Sequence, residues 1–493
     1  MENFNISISK IIIHFVFIMS MLITYFQYQQ LETGATTIYC NNLLQTNAFI
    51  ILIQTLVYIT AYLVMVVYID EISKTTYRWL KLNTYDFLTI IFTNLVGLWI
   101  VIGSNDLITL YLGIELQTFG AFILVALRKT SEYSIESALK YFVLGAVSSA
   151  ILLLGIGLVY VSLGTTNYTN LASLIQHIND EQTQFTLQVA YVFIMVSLLF
   201  KLGAAPFHNW VPDVYQGSTT IVTTYFVSVP KIGLISALII LLVHNIAVIS
   251  NIWYQTLIIC SILSMIVGTA GAVNQYNIKR LLAYSAISHT GYLIIGVLTN
   301  SLDGVISIVI YLILYIIMSL ITWPLLLNLA QKQSLNSSLS TGDTLESSII
   351  IDNNEYHKTT QYELKGLGRS NPVFAIIFAI TLLSIAGIPP LAGFYTKWLL
   401  FSAAVDSGYS IIALIGIVTS VIGAIYYLRL IHFMYFRTPD SKFNELSDIV
   451  GGLIPMKLST SLIISIGLLI LLIFIFIPQI LIDLVTIAVL SVL

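Results

Sequence analysis

The chain is dominated by stretches of about 20 apolar residues, the length of helix that crosses the hydrocarbon core of a membrane. Hydrophobic residues make up 58% of the 493 residues and charged residues only 9%, which excludes a soluble domain with a large core. We therefore predict an all-α polytopic membrane protein with about thirteen transmembrane helices. The predicted spans lie at about 8–28, 47–69, 84–103, 105–127, 135–163, 187–210, 220–243, 252–275, 278–299, 304–328, 372–403, 409–436 and 457–490. The last of these is long enough to hold two short helices.

Basic residues are distributed unevenly between the two sides of the predicted bundle. With the side of the N-terminus named side A, fifteen of the 20 Lys and Arg residues fall on side A, and none falls in a loop of the opposite side B. The other five lie within helices: Lys140, Lys201, Lys231, Lys397 and Arg429. The positive-inside rule then places side A in the cytoplasm or the mitochondrial matrix.

The first span lacks a small-residue cleavage site and predicts a retained helix. A chain rich in Ile, Asn, Tyr and Phe is typical of AT-rich mitochondrial genomes. We expect a multi-pass protein of the mitochondrial inner membrane, with the N-terminus in the matrix and the C-terminus in the intermembrane space. A bacterial plasma membrane is the alternative.

Several classes of site are missing from the sequence pattern. Cys40 and Cys260 form neither a disulfide framework nor an iron–sulfur run, and the seven histidines have no metal-ligand spacing. No glycine-rich dinucleotide fingerprint is found. The net charge is −3 and no basic tract is present, which argues against a nucleic-acid partner. We expect no metal or redox cofactor in this chain.

Four charged residues lie well inside predicted spans, where a charge is costly and usually functional. Glu115 is at the midpoint of the fourth span and Lys201 lies in the sixth. Lys231 is at the centre of the seventh span and Lys397 is in the second half of the eleventh. Burial favours the neutral form of each group, whereas a nearby opposite charge favours the ionised form. We predict a switchable proton site at these residues; the alternative is a set of structural ion pairs.

Other polar residues of the spans are weaker candidates. Lys140 is a possible proton relay, but it lies near the start of its helix and Arg429 near the end of its helix, so both could instead extend to the membrane interface. Histidine gains or loses a proton near neutral pH, so His208 and His289 could act as proton relays. His289 is central in its span, among hydroxyl-bearing residues that could hold a water chain. A packing role through a hydrogen bond is the alternative for both histidines.

Two helices are interrupted close to their lysines: by Gly203 and Pro206 in the sixth span, and by Gly387, Pro389 and Pro390 in the eleventh. Proline removes a backbone donor and clashes with the preceding turn. Such breaks persist in a membrane only where they are buried in protein or line a wet cavity. Paired broken helices in two halves are typical of inverted-repeat transporters. The two breaks are five spans apart, which predicts two inverted five-helix repeats.

This repeat predicts the domain organisation. Residues 1–103 form peripheral helices, 104–275 the first repeat, 276–436 the second repeat and 437–493 a C-terminal helix region. The second repeat includes a polar segment at 331–371, rich in Ser, Thr and Asn. A disordered or loosely docked loop on side A is one interpretation of this segment, and a partner-docking insert is the other.

Five ordered segments resemble a known family, the antiporter-like membrane subunits of respiratory complex I (NADH:ubiquinone oxidoreductase). They are YLGIELQTF (111–119), ESALKYFVLGAVSSAILL (136–153), FKLGAAPFHNWVPDVYQGS (200–218), NIKRLLAYSAISHTGYLIIG (277–296) and AGIPPLAGFYTKWLLF (386–401). Within that family, VPDVYQGS and the lysine at 397 resemble the chain 2 branch rather than the chain 4 branch.

The resemblance implies a proton-translocating role in an antiporter-like fold. Glu115 matches the essential glutamate of the family, Lys201 the lysine of the first broken helix, Lys231 the connecting lysine and Lys397 the lysine of the second broken helix. It also implies that NADH oxidation and ubiquinone reduction, with their FMN, iron–sulfur clusters and ubiquinone, belong to other subunits. The implied partners are neighbouring antiporter-like and small membrane-arm subunits together with membrane lipids.

Two other functions remain open from the sequence. A stand-alone cation/proton antiporter subunit would use the same residues but would be driven by an ion gradient. A structural membrane scaffold would keep the buried charges only to fix helix packing, and it predicts dry surroundings for them.

Overall fold

The computed structural model of the chain describes residues 2–31, 36–74, 84–129, 131–178, 180–242, 251–341, 360–437 and 456–491. The first half contains α1 (Glu2–Gln30), β1 (Thr37–Tyr39), β2 (Leu44–Thr46), α2 (Ala48–Lys74), α3 (Thr84–Gly103), α4 (Leu107–Val125), α5 (Glu132–Leu163), α6 (Tyr168–Ile175), α7 (Glu181–Leu202), α8 (Trp210–Gly217) and α9 (Thr220–Leu241). The second half contains α10 (Asn251–Val273), α11 (Ile278–Thr299), α12 (Leu302–Thr341), a 3₁₀ turn (Gln361–Leu364), α13 (Leu367–Ser370), α14 (Pro372–Ala386), α15 (Ala392–Asp406), α16 (Ser410–Phe436), α17 (Leu458–Phe476) and α18 (Gln479–Val489). Strands β1 and β2 pair antiparallel in a small hairpin.

The helices confirm the predicted fold class of a multi-pass membrane protein. Among the described residues, twelve helices are long and apolar enough to cross a membrane: α1 to α5, α7, α9 to α12, α16 and α17. The predicted span 372–403 is the pair of shorter helices α14 and α15, and the predicted span 457–490 divides into α17 and α18. The thirteen predicted spans thus correspond to twelve long helices, the last of which is followed by the short helix α18, and one pair of half-length helices.

Both predicted breaks are present and resemble each other. Helix α7 ends at Gly203 with φ 74°, and α14 ends at Gly387 with φ 82°. These left-handed conformations are open to glycine at little cost and let the chain leave the helix axis. A cis peptide bond precedes Pro206 in the first break and Pro390 in the second. The chain then re-enters a helix, α8 (Trp210–Gly217) after the first break and α15 (Ala392–Asp406) after the second.

Helices five spans apart have corresponding neighbours. Helix α3 packs along α4 as α10 packs along α11. Helix α5 contacts both halves of the first broken helix, α7 and α8, and α12 contacts both halves of the second, α14 and α15. Of these contacts, those of α5 and α12 lie within the predicted repeats and agree with them. The domain boundaries at 104, 276 and 437 stay a prediction.

Helix α9 forms the centre of the bundle, with all of its residues buried. It is buried around its whole circumference, as expected of a helix surrounded by other helices. Its two serines bond within the helix: Ser228 Oγ donates to the Thr224 carbonyl at 2.7 Å and Ser236 Oγ to the Gly233 carbonyl at 2.8 Å. Helix α1 is the opposite case, because most of its described side chains are exposed at the edge of the bundle.

The polar segment 331–371 begins as a continuation of α12 to Thr341 and returns to described structure at Thr360. The amide of Gln361 donates to the carbonyl of Tyr276 at 3.1 Å, and its side chain donates to the carbonyl of Gln275 at 2.8 Å. The C-terminal end of the segment is therefore docked on the turn between α10 and α11. The segment 331–371 was predicted as a disordered or loosely docked loop or as a partner-docking insert, and its residues 342–359 lie outside the described residues.

Candidate functional site

Glu115 and Lys201 form an ion pair across α4 and α7. The Lys201 Nζ atom lies 3.9 Å from the Glu115 Oε1 atom, and the Lys201 side chain is only 2% exposed. The ammonium also donates to Ser149 Oγ on α5 at 3.1 Å. Lys201 is the penultimate residue of α7, directly before the break at Gly203. The break thus places the lysine at an open helix end, within reach of a carboxylate from a different helix.

A small internal cavity joins Lys201 to Lys231. It offers about 20 Å³ to the centre of a water molecule, enough to hold about one water. Gln117 and Thr118 contribute its polar wall, two and three residues beyond Glu115 in α4. The Gln117 Oε1 atom is buried and has no hydrogen-bond partner among the described residues. Polar atoms in such a position usually bind water.

Lys231 lies at the middle of α9, directly after Pro230. Its Nζ atom donates to the carbonyl of Ala286 in α11 at 3.3 Å and lies 5.3 Å from the centre of the Tyr315 ring. An aromatic face attracts a cation at this distance. Among the described residues, the ammonium therefore has a backbone oxygen and an aromatic ring as neighbours rather than a carboxylate within 4 Å.

Lys397 lies on α15 and reaches back to the end of α14. Its Nζ atom donates to the carbonyls of Ala386 at 2.7 Å and Ile385 at 3.2 Å. The last carbonyls of a helix lack intrahelical partners and carry partial negative charge. Lys397 also lies 5.3 Å from the centre of the Tyr292 ring. The second break thus provides the oxygen atoms that hold its lysine.

His289 lies between two tyrosine hydroxyls in the core of the second half. Its Nδ1 atom forms a short hydrogen bond with the hydroxyl of Tyr311, and its Nε2 atom lies 3.5 Å from the hydroxyl of Tyr427. The His289 ring is also 5.1 Å from the Tyr315 ring and 5.8 Å from the Tyr292 ring, measured between centroids. Since these two rings neighbour Lys231 and Lys397, the histidine lies between the two lysines.

The tyrosines around His289 were not singled out from the sequence. Tyr311 and Tyr315 are one turn apart on α12 and so share one helix face. That spacing is the available signal, but an aromatic pair on a buried helix usually indicates packing. The structure shows in addition that His289 and Lys231 lie next to this face, which the spacing alone does not indicate.

The remaining candidates lie farther from this centre. Lys140 is half-exposed and pairs with Glu136 at 2.7 Å and with Asp213 at 3.0 Å. His208 lies in the turn between α7 and α8, and its Nδ1 atom has no hydrogen-bond partner among the described residues. Arg429 donates to the carbonyl of Val273, at the end of α10.

Metal-ligating residues are not grouped in the part of the chain that the structure describes. No set of three or more His, Cys, Asp or Glu side chains could hold a metal ion there. Cys40 is exposed and Cys260 is buried, and both are free thiols.

Comparison with solved structures identifies the fold. Respiratory complex I from Thermus thermophilus with bound aureothin contains a chain that superposes with a TM-score of 0.71 at 21% identity, over 98% of this chain and 99% of that one. The Mrp complex from Dietzia sp. contains a chain with a TM-score of 0.76 at 17% identity, over 98% of this chain and 92% of that one. At these identities the likeness concerns the fold alone.

Sequence comparison identifies the family. The family profile described as NADH:quinone oxidoreductase/Mrp antiporter, TM, matches residues 104–423. NADH-quinone oxidoreductase subunit N 1 of Rhizobium meliloti is 37% identical over 363 residues, covering 74% of this chain and 71% of that protein. NADH-ubiquinone oxidoreductase chain 2 of Marchantia polymorpha is 39% identical over 366 residues, covering 73% and 69%. The chain therefore belongs to the family of NADH-quinone oxidoreductase subunit N and NADH-ubiquinone oxidoreductase chain 2.

Proposed function

We propose that this chain is a proton-translocating membrane-arm subunit of an NADH:quinone oxidoreductase, with a path that runs from Glu115 through Lys201, Lys231 and His289 to Lys397. The single observation that carries the proposal is the cavity that both Lys201 and Lys231 line, next to the Glu115–Lys201 pair. A proton donor, an acceptor and room for one water between them are what transfer requires.

The ion pair at Glu115 acts as the switch. A nearby carboxylate favours the charged form of Lys201, whereas burial favours its neutral form. A movement that separates the two groups therefore releases a proton from the ammonium. The cavity leads that proton toward Lys231, which accepts it as a neutral amine and has no carboxylate partner within 4 Å among the described residues to hold it in the charged form.

The second half of the path runs through the tyrosine cluster. A neutral imidazole donates at one nitrogen and accepts at the other. With hydroxyls of Tyr311 and Tyr427 at its two nitrogens, His289 is placed to take up a proton on one side and release one on the other. Lys397 is then the terminal proton carrier, held by the carbonyls at the end of α14.

The proposal assigns the redox chemistry to other subunits. FMN, iron–sulfur clusters and ubiquinone would be bound there, and this chain would contribute proton movement alone. We place the N-terminus in the matrix and the C-terminus in the intermembrane space of the mitochondrial inner membrane. The charge asymmetry between side A and side B supports this orientation, and the similarity to the Marchantia chain 2 supports the organelle.

The test is proton pumping by assembled complexes in sealed membrane vesicles. Lys201→Ala and Glu115→Gln should each lower NADH-driven proton uptake at least tenfold, in line with the 10²–10⁴-fold contribution of a positioned proton-transfer group. Assembly is checked by the flavin content and by NADH oxidation with an artificial acceptor. A normal ratio of protons to electrons in both variants would overturn the proposal and favour a structural scaffold.

A further inference from the structure

Asp213 lies at the centre of a charge network that the proposed proton path does not use. Its Oδ2 atom accepts from Lys140 Nζ of α5 at 3.0 Å, and its Oδ1 atom lies 3.2 Å from Arg280 Nη1 of α11. The Arg280 guanidinium also donates to Gln216 Oε1 at 3.1 Å. Asp213 and Gln216 are both on the short helix α8. Helix α8 is therefore held between one helix of each predicted repeat.

A third cation lies at the end of the same helix. The Nζ atom of Lys279, the neighbour of Arg280, donates to the carbonyl of Ser218 at 3.4 Å. Ser218 directly follows α8, where the helix carbonyls carry partial negative charge. The Asp213 side chain of α8 thus contacts Arg280, and the C-terminal end of α8 contacts Lys279, both at the start of α11.

Helix α8 in turn supports the helix end that carries Lys201. The indole Nε1 of Trp210, the first residue of α8, donates to the carbonyl of Phe200 at 3.0 Å. The same indole stacks on Tyr141 with 4.6 Å between ring centroids and lines the cavity beside Lys201. A shift of α8 would therefore move both the last turn of α7 and one wall of the cavity.

We infer that Asp213 is a positioning residue, which through Lys140 and Arg280 fixes α8 and so sets the distance between Lys201 and Glu115. This inference rests on the proposed function. Each contact of Asp213 is only partly buried, with side-chain exposures of 45% for Lys140, 35% for Arg280 and 28% for Asp213. Ion pairs of this exposure are individually weak, and several charges must act together to matter. The network therefore affects the distance between Lys201 and Glu115 rather than the stability of the fold.

The test uses Asp213→Asn in the assembled complex, with Asp213→Glu as the conservative variant. The loss of two ion pairs should lower NADH-driven proton pumping about fivefold. Asp213→Glu should restore most of the rate, because the carboxylate can still reach both cations. A structure of the Asp213→Asn complex should show a longer distance between Lys201 Nζ and Glu115 Oε1.

Glu136→Gln is the matched control. Glu136 pairs with Lys140 at 2.7 Å but has no hydrogen bond or ion pair to α8 among the described residues, so the pumping rate of this variant should stay near that of the wild type. Lys140→Met should slow pumping in the wild-type background and have no further effect in the Asp213→Asn background. If Asp213→Asn does not assemble, the positioning role is tested with Lys140→Met and Arg280→Gln, since each variant removes one of the two ion pairs of Asp213.

The positioning role of Asp213 and the proton path through Lys201 can fail independently. Wild-type pumping in Asp213→Asn, or in both single-contact variants, overturns the positioning role. If Lys201→Ala abolishes pumping in the same experiment, the proposed function stands without it. If Lys201→Ala also pumps normally, the proposed function itself fails. Raising the salt concentration should slow the wild type toward the Asp213→Asn rate and leave that variant unchanged, because exposed pairs are screened.

Discussion

The Lys397 ammonium lies 2.7 Å from the carbonyl oxygen of Ala386, the last residue of α14. One half of the broken helix thus supplies the cation and the other half supplies the oxygen atoms that hold it. The first break works differently, because Lys201 belongs to the half that ends at the break and faces the carboxylate of Glu115. Partial charges of a helix end are fixed in place, whereas a side-chain carboxylate can move away. We therefore assign the switching step to Lys201 rather than to Lys397.

Gly387→Ala should disturb Lys397 specifically. Gly387 has φ 82°, and a Cβ atom there would lie 2.9 Å from Cδ and 3.0 Å from Nζ of Lys397. The left-handed backbone alone costs about 1–2 kcal/mol for a residue with a side chain. We expect lower thermal stability of the complex together with a several-fold loss of proton pumping.

Gly408→Ala is the control for the backbone cost. Gly408 has φ 87°, but a Cβ atom there would have no atom within 4 Å. The apparent Tm should fall by a similar amount in both variants, and pumping should fall only in Gly387→Ala. Equal pumping in the two variants would mean that the position of Lys397 is unimportant for the rate.

Gln117→Met should remove the polar wall of the cavity between Lys201 and Lys231. Methionine has nearly the same length as glutamine but offers only a weak acceptor. Loss of one hydrogen bond to a bridging water, worth about 0.5–1.5 kcal/mol, should slow proton transfer by up to about tenfold. High-resolution cryo-EM of the complex should reveal water in this cavity for the wild type and not for the variant.

Gln54→Met tests whether that effect depends on the cavity. Gln54 is also buried, and both of its side-chain polar atoms lack hydrogen-bond partners among the described residues. It lies on α2, outside the set of residues that line the cavity. We expect a pumping rate close to the wild type. A similar loss in both variants would assign the effect of Gln117→Met to stability.

The sequence predicted the helices and both breaks because these depend on local properties. Hydrophobic length marks the spans, and the Gly203 and Gly387 positions mark the ends of α7 and α14. The eleventh span was predicted with a break at Gly387, Pro389 and Pro390, and the structure has two helices separated by a turn at 387–391. The prolines indicated the break, but how far each half-helix extends depends on packing against other helices.

The surroundings of the candidate residues could not be predicted in this way. Glu115 and Lys201 were each predicted as a charged candidate within a span, and the structure brings them together as an ion pair between α4 and α7. In the sequence, nothing distinguishes Gln117 and Tyr311 from other residues that are buried in a helical bundle. Their roles depend on which helices meet, and apolar periodicity carries no information about that when a helix such as α9 is buried on every side.

Asp70→Asn should weaken the attachment of the C-terminal helices. The Asp70 Oδ2 atom, at the end of α2, accepts from the hydroxyl of Ser459 and from the amide of Thr460 at 3.2 Å. A carboxylate at the first turn of α17 favours that helix end electrostatically, and a capping contact is worth about 1 kcal/mol. We expect a lower apparent Tm of the purified complex. Asp483→Asn, at an exposed side chain that bonds only within α18 among the described residues, should leave the Tm unchanged.

Tyr311→Phe tests whether His289 carries protons. The Tyr311 hydroxyl is the close partner of His289 Nδ1, so its removal leaves a buried nitrogen without that hydrogen bond, at a cost of about 1–3 kcal/mol. If a proton passes through the imidazole, pumping should fall about tenfold or more, because one of the two routes to the ring is lost. Tyr427→Phe should have a smaller effect, since its hydroxyl is 3.5 Å from Nε2.

Tyr191→Phe is the matched control for these two variants. The Tyr191 hydroxyl is also buried but has no hydrogen-bond partner among the described residues, so its loss should be neutral or slightly stabilising. Thermal stability and proton pumping are measured on the same preparations. If His289 only packs, Tyr311→Phe should lower the Tm of the complex while the ratio of protons to electrons stays at the wild-type value. A fall in that ratio, absent from Tyr191→Phe, identifies the imidazole as part of the proton path.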